Sequence, residues 1–153
     1  MILETIDDFN YMFPDEKACQ DWIVKQRWPD GNVKCQYCGH DKCYRIENGN
    51  RFKCANNKCY KRFRVTVGTG IQSMNLKLKT WLAFVWVASQ EKNASSLGLS
   101  RKIGVTQKTS WHMIYPIRNI LLNRKDKTNT DIFQEIVSYY LKYNAGSSNG
   151  ISN

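Results

Sequence analysis

Apolar and polar side chains alternate between residues 43 and 67, which is typical of β-strands that bury one face. Asn48-Gly49 separates the first two alternating runs and is a strong signal for a two-residue hairpin turn. The third run covers residues 60–67. In it, the apolar residues Phe63, Val65 and Val67 alternate with Arg62, Arg64 and Thr66. The pattern predicts a three-stranded antiparallel sheet.

The second half of the chain carries helical patterns instead. Residues 77–90, KLKTWLAFVWVASQ, are apolar almost all round, which predicts a helix buried at the centre of a bundle. A serine pair can cap a short helix over residues 97–103, and Thr106 can cap another over residues 107–114. Gly104 stands between them. A helix, a tight turn containing glycine and a second helix form the outline of a helix-turn-helix.

Helical patterns also occur nearer the two ends of the chain. In residues 14–28, PDEKACQDWIVKQRW, Cys19 falls on an apolar face and is expected to lie in the core. Residues 131–143 predict an amphipathic helix whose apolar face must be buried against another surface. Its apolar face consists of Ile132, Phe133, Ile136, Val137, Tyr140 and Leu141. Gly146 is expected to end this helix and to leave a frayed tail.

Net charge is distributed unevenly along the 153 residues. The whole chain carries +10, but residues 1–30 carry −4, and residues 31–128, with nineteen basic and four acidic side chains, carry +15. Such a local excess attracts a polyanion, usually nucleic acid, although a basic surface without this partner is the alternative. The chain has no run of eighteen apolar residues, and its N-terminus is acidic. We therefore expect a cytoplasmic, nucleoid-associated protein without a membrane partner.

Five of the six cysteines lie within twenty-five positions, which raises the choice between a metal site, a disulfide and a reactive thiol. Cys35 and Cys38 form a C-x2-C pair, and Cys54 and Cys59 form a C-x4-C pair fifteen residues later. This spacing is close to that of ribbon-type zinc sites, and cytoplasmic thiols stay reduced. The sequence predicts one structural Zn²⁺ held by these four thiolates. Four thiolates leave no open position for a catalytic water.

Two other residues near the cluster are alternative ligands. Cys43 would also give an x4 spacing with Cys38, but Cys54 and Cys59 would then lack a partner pair. We therefore expect Cys43 to be a free thiol at the start of a strand. His40 is expected to lie outside a site that four sulfur atoms already complete.

The helix-turn-helix outline assigns faces to its second helix. Ser110, Ile114 and Ile117 are expected to form its buried seam. The residues expected to face base edges in double-stranded DNA are Gln107, Lys108, Trp111 and His112. Those expected to contact phosphates are Arg101, Lys102 and Arg118 near this helix, and Arg62 and Arg64 on the ribbon. Pro116 should kink or end the helix near Tyr115. The alternative is a plain three-helix bundle with a polar outer face.

Together these patterns predict an α+β fold in which a small three-stranded zinc ribbon precedes a helix-turn-helix bundle. Residues 1–74 are assigned to an N-terminal helix and the ribbon, and residues 75–123 to the helix-turn-helix. Residues 124–153 are assigned to a polar linker, RKDKTNT, the amphipathic helix and a flexible tail.

The order of these segments resembles the N-terminal part of bacterial insertion-sequence transposases, which begin with a zinc-ribbon domain followed by a helix-turn-helix. The resemblance covers roughly residues 10–120. It is carried by RWPDG at 27–31, CQYC at 35–38, CANNKCYKRFRVTVGTG at 54–70, WLAFVWV at 81–87 and IGVTQKTSWHMI at 103–114. It implies that the four cysteines bind zinc and that the two modules grip the terminal repeats of a transposon.

The chain departs from that family after Asn123, where the family continues into an RNase H-like nuclease domain. A two-metal nuclease site needs convergent carboxylates, and the acids that follow here are Asp126, Asp131 and Glu135. Asp131 and Glu135 have the spacing of a solvated helix face. We therefore expect a chain without catalytic residues that binds DNA and does not cut it.

Three functional hypotheses remain open at this point. The first is a DNA-binding protein derived from such a transposase, either truncated or acting alone. The second is a zinc-ribbon adaptor or transcriptional regulator that self-associates or binds a protein partner through the C-terminal amphipathic helix. The third is the DNA-binding subunit of a split transposase whose nuclease is a separate polypeptide.

Overall fold

A computed structural model describes residues 3–91 and 93–147. The chain forms two compact units, a helical unit made of Met1–Pro14 and Leu76–Tyr139, and a ribbon unit made of Asp15–Asn75 and Tyr140–Asn153. The elements are α1 Ile6–Met12, α2 Glu16–Arg27, β1 Cys43–Ile46, β2 Arg51–Cys54, β3 Arg62–Arg64, α3 Leu78–Gln90, α4 Ser96–Ile103, α5 Gln107–Ile114, α6 Arg118–Leu122 and α7 Asn129–Ser147. The α+β class is confirmed, whereas the domain boundaries drawn from the sequence stay a prediction. Within the described ranges, no helix is long and apolar enough to cross a membrane.

The sheet has the order β1-β2-β3 and is antiparallel throughout, as predicted. The two-residue hairpin prediction is wrong, because Ile46 pairs with Arg51 and four residues connect the strands. Glu47, Asn48 and Gly49 all have left-handed φ angles, of 53°, 56° and 91°. An ion pair of 3.0 Å between Arg51 Nε and Glu47 Oε2 links the two ends of this connection.

The third strand is shorter than its alternating pattern suggested. Tyr60 has a φ of 52°, which is incompatible with a strand, so the strand begins only at Arg62. After Arg64 the chain turns, and the N–H of Val67 donates to the carbonyl of Arg64 at 3.1 Å. The predicted assignment of residues to a buried face and an exposed face is nevertheless correct here. Phe63 and Val65 are buried, whereas Arg62 and Arg64 are exposed.

The core of the ribbon unit lies between α2 and the sheet. Phe52 and Phe63 pair across β2 and β3 and stack with ring centroids 5.6 Å apart. Cys19 on α2 is fully buried, which confirms its assignment to the core. Arg27, at the end of α2, donates to the carbonyl of Val65 at 2.8 Å and to Gln36 Oε1 at 2.9 Å. Burial lowers the pKa of Arg27 to about 10.

The helical unit is built around α3, as its apolar sequence predicted. Trp81, Leu82, Phe84 and Val85 are buried, whereas Val87 is only partly so. The sequence analysis missed α1, which begins at a capping box where Asp8 N–H donates to Thr5 Oγ1 at 3.1 Å and Thr5 N–H donates to Asp8 Oδ2 at 3.0 Å. The two hydrogen bonds that the Asp8 carboxylate accepts, from the N–H groups of Thr5 and Glu4, lower its pKa.

The segment between α4 and α5 is a three-residue turn, residues 104–106, in which Gly104 has a φ of 85°. Thr106 caps α5, because its Oγ1 accepts from the N–H of Thr109 at 3.1 Å. The expected effect of Pro116 is confirmed, since α5 ends at Ile114 and a 3-10 turn over Tyr115–Ile117 follows. In the predicted seam, Ser110 and Ile117 are fully buried and Ile114 partly so, and Met113 joins them.

Arg124 has a structural role that the polar-linker interpretation missed. Its guanidinium donates to the carbonyl oxygens of Ser89 at 2.8 Å and Ala88 at 2.7 Å, at the end of α3, and to that of Leu121 at 2.9 Å. The last carbonyl groups of a helix have no hydrogen-bond donor inside the helix. The Arg124 guanidinium supplies the missing donors at the end of α3. Burial lowers the pKa of Arg124.

Helix α7 buries the apolar face that the sequence predicted, with Ile132, Phe133, Ile136, Val137 and Tyr140 buried and Leu141 partly exposed. The prediction that Gly146 ends the helix is wrong, because α7 continues to Ser147. The predicted tail beyond residue 147 lies outside the described residues.

Candidate zinc centre and nucleic-acid interface

Two tight turns present the sulfur atoms of the predicted zinc site. In the first, the N–H of Gly39 donates to the carbonyl of Cys35 at 3.0 Å, and Gly39 takes a φ of 78°, where a side chain would be strained. In the second, the N–H of Cys59 donates to the carbonyl of Asn56 at 2.9 Å. The β1–β2 hairpin returns the chain so that Cys54 lies beside the first turn, as the sequence predicted.

The four sulfur atoms of Cys35, Cys38, Cys54 and Cys59 all lie within 4.8 Å of one another. Two of the separations are 3.9 Å, from Cys35 Sγ to Cys59 Sγ, and 3.5 Å, from Cys38 Sγ to Cys54 Sγ. A tetrahedral zinc with Zn–S bonds of about 2.3 Å requires neighbouring sulfurs about 3.8 Å apart. The four side chains therefore fit one structural zinc ion, which confirms the predicted cofactor.

Backbone N–H groups surround the sulfur atoms as they do around bound thiolates. The N–H groups of Tyr37 and Cys38 donate to Cys35 Sγ at 3.3 and 3.4 Å, and the N–H of Asn56 donates to Cys54 Sγ at 3.4 Å. Such donors stabilise the negative charge of the ligands and hold them in position for the metal.

The thiols of Cys38 and Cys54 differ in acidity. The backbone N–H of His40 is the main reason why the pKa of Cys38 falls to about 7, whereas burial raises the pKa of Cys54 to about 12. Cys54 therefore keeps its proton at neutral pH until a metal replaces it. Binding of zinc must release protons, and the affinity must fall as the pH falls.

The two alternative ligands lie outside this cluster. Cys43 pairs with Cys54 across β1 and β2, but it is not one of the four cysteines brought together. Burial is the main reason that the pKa of Cys43 rises to about 11, which suits the free thiol that we expected. His40 contributes its backbone carbonyl, which accepts from the N–H of Cys35 at 2.8 Å.

The structure exposes the side chains that the sequence assigned to DNA. On α5 these are Gln107, Lys108, Trp111 and His112, and near it are Arg101, Lys102 and Arg118. Lys102 forms an ion pair with Glu91, so part of its charge is already neutralised within the chain. Arg62 and Arg64 are exposed on β3 of the ribbon unit. Their contacts with DNA stay a prediction.

One aromatic residue of this surface was missed by the sequence analysis. Tyr115 is 49% exposed, and its ring lies 4.9 Å from the ring of Trp111 between centroids. Arg118 covers the Tyr115 ring with its guanidinium carbon 3.8 Å from the centroid. The i, i+4 spacing of Trp111 and Tyr115 indicates that the two rings can lie on one helix face. The predicted surface omits Tyr115 because Pro116 is expected to end the helix there.

Residues 14–62 match the family model of the transposase zinc-ribbon domain. This segment contains α2, the first two strands of the sheet and all four cysteines of the cluster, so the ribbon half of the expected resemblance is confirmed. A zinc ribbon of this kind is a binding module without a catalytic site. Neither the curated proteins nor the solved structures gave a match to the chain.

Proposed function

We propose that this chain is a zinc-dependent DNA-binding protein related to the recognition part of a transposase. The observation that carries the proposal is the four-sulfur cluster within a transposase zinc-ribbon domain. The net charge of +15 over residues 31–128 supports a polyanionic partner, and double-stranded DNA at transposon terminal repeats is the partner that such a domain suggests.

In this proposal zinc acts on the fold and not on the DNA. When bound, it ties the two turns together and so fixes the β1–β2 hairpin. The protein side chains then make the contacts: Arg62 and Arg64 on the ribbon reach phosphates, which position the duplex without reading its sequence. Zinc therefore supports DNA binding only indirectly, because it stabilises the fold of the ribbon.

Helix α5 is the proposed reader of sequence. Gln107 and Lys108 are exposed in its first turn, where a recognition helix meets base edges. Ser110 and Met113 are buried on the side of α5 opposite Lys108, whereas Gln107 lies at the edge of that buried side, so Lys108 points most directly away from the bundle. Arg118 follows in α6 and contacts phosphate in this arrangement.

We further propose that this chain alone does not cut DNA. A two-metal nuclease requires carboxylates that converge on the ions. Asp131 instead accepts from the N–H of Thr128 at 3.0 Å as a cap of α7, and this bond is the main cause of its lowered pKa. Glu135 accepts from Lys127 Nζ at 2.6 Å. Both carboxylates therefore have local structural roles.

The adaptor hypothesis is less well supported. It required the apolar face of α7 to receive a partner, but Ile132, Phe133, Ile136 and Val137 are covered by the chain itself. Self-association through the other face of α7 stays a hypothesis. The split-transposase hypothesis is compatible with the proposed DNA binding, since it adds only a second polypeptide with the nuclease.

The test is retardation of duplex DNA by the zinc-loaded chain over a range of salt concentrations. Binding that weakens steeply with salt supports phosphate contacts by a basic surface. Treatment with a chelator should reduce binding, and added zinc should restore it. Undiminished binding by fully zinc-free protein would contradict the zinc dependence, and no retardation at low salt would contradict the function.

A further inference from the structure

One face of the ribbon sheet does not take part in the core. Strand pairing places Tyr44, Lys53 and Arg62 directly opposite one another, and Ile46, Arg51 and Arg64 form the neighbouring row. Residues paired across strands point to the same side, as do residues two apart along a strand. Phe52 and Phe63 point to the other side and are buried. We call the six residues of the two rows the outer sheet face.

The outer sheet face is basic, and its cations are largely free of acidic partners. Arg51 pairs with Glu47, but among the described residues no carboxylate lies within ion-pair distance of Lys53, Arg62 or Arg64. Unpaired cations in neighbouring positions repel one another and favour an anionic partner.

Exposed aromatic rings accompany these cations. Tyr44 lies within the face and is 53% exposed, and Tyr60 beside it is exposed to the same extent. Lys42 lies over the Tyr44 ring at 5.6 Å from its centroid, and Lys53 lies over the Tyr60 ring at 5.1 Å. These contacts place positive charge next to each ring and still leave half of each tyrosine accessible.

We propose that the outer sheet face binds single-stranded nucleic acid, with an unpaired base stacked on Tyr44 and phosphates held by Lys53, Arg62 and Arg64. Cations that follow a strand backbone, combined with aromatic rings on which bases stack, are the two features that single-strand binding requires. Bases in a duplex are stacked on each other and cannot reach a ring that lies on a sheet. The inference rests on the proposed DNA-binding function and adds an unpaired strand to its ligands.

The experiment measures binding of three fluorescent probes by anisotropy with the zinc-loaded full chain. The probes are a twelve-residue oligo-dT, a twelve-residue oligo-rU and a duplex of twelve base pairs. Tyr44→Ala should weaken binding of the single strands about tenfold and leave duplex binding unchanged, because it removes a stacking surface and no charge. Tyr44→Phe should bind like the wild type, since the ring is kept.

Tyr11→Ala is the matched control, because Tyr11 is 87% exposed on α1 in the helical unit and belongs to no basic sheet face. Zinc content and circular dichroism of each variant verify that the ribbon is intact. We avoid Tyr60 in this test, since its φ of 52° and its position next to Cys59 make a substitution there a risk to the metal site.

The proposal is overturned if Tyr44→Ala and Tyr11→Ala bind oligo-dT and oligo-rU equally well, or if Tyr44→Ala loses single-strand and duplex binding to the same degree. A stronger effect on oligo-rU than on oligo-dT would support the platform and identify RNA as its ligand. Wild-type duplex binding reports on the proposed function separately. Tyr44-dependent binding of single strands without any duplex binding would contradict that function and support this inference.

Discussion

The hydrogen bonds of Arg124 allow a quantitative prediction about the helical unit. Its guanidinium donates to four carbonyl oxygens, those of Leu121, Ala88, Ser89 and Glu91. Hydrogen bonds to a charged group contribute about 1.5 to 3 kcal/mol each when buried. Arg124 is only partly buried, and water can reach some of the carbonyls after its removal. We therefore expect Arg124→Ala to lower the free energy of unfolding by about 3 kcal/mol in total.

Thermal unfolding followed by circular dichroism measures this effect. For a chain of this size, about 3 kcal/mol corresponds to a decrease in Tm of about 6 to 12 °C. Arg124→Lys should recover less than half of the loss, because a single ammonium keeps the charge near the end of α3 but cannot reach all of the acceptors. Lys125→Ala is the control, since Lys125 is exposed beside it and should change stability by less than about 0.5 kcal/mol. A Tm for Arg124→Ala equal to that of the control would refute the capping role.

The remaining predictions concern zinc and DNA. Cys54→Ser should release zinc, whereas Cys43→Ser should keep one zinc per chain by elemental analysis; equal loss in both would make Cys43 a ligand. Calorimetry at pH 7 in buffers of different ionisation enthalpy should detect protons released on zinc binding, because burial raises the pKa of Cys54 to about 12. A binding enthalpy that does not depend on the buffer would show that no proton is released and would contradict a protonated Cys54 thiol. Lys108→Ala should cost about 1 to 3 kcal/mol on a cognate duplex and much less on random DNA. Arg62→Ala should weaken binding to cognate and random DNA alike and lower the slope of log K against log salt concentration by about one unit. If Arg62→Ala instead removes the preference for the cognate duplex and Lys108→Ala does not, the ribbon reads the sequence.

The zinc ligands and the main helices were predictable because their signals are local. The spacing of Cys35, Cys38, Cys54 and Cys59 is set by two turns and one hairpin, each of which is short in sequence. The periodicity of α3 was equally clear, because an almost uniformly apolar helix has no other stable position than the centre of a bundle. Such features depend little on which other segments surround them.

Two of the errors arose where contacts distant in sequence decide the local structure, and a third arose from the register of a local hairpin. Arg124 appeared to belong to a polar linker because nothing near it in sequence indicates that its acceptors are more than thirty residues away, at Ala88 and Ser89. The Asn48-Gly49 signal suited a two-residue turn, but the strands pair in a register that leaves Glu47 and Asn50 in the connection as well. Helix α1 is short, and its buried Phe9 is held by packing against Trp86 of α3, with ring centroids 5.7 Å apart.

The two units differ in how their stability is supplied, and this difference bears on the role of zinc. Helix α3 buries Trp81, Phe84 and other large side chains, so the helical unit has an apolar core of ordinary kind. The sheet of the ribbon unit has strands of only three or four residues, and its aromatic core centres on Phe52 and Phe63. Small sheets of this size usually need a metal or disulfides for stability. Zinc therefore controls the fold of the ribbon surface that carries Tyr44, whereas the orientation of α5 depends on burial of its own seam.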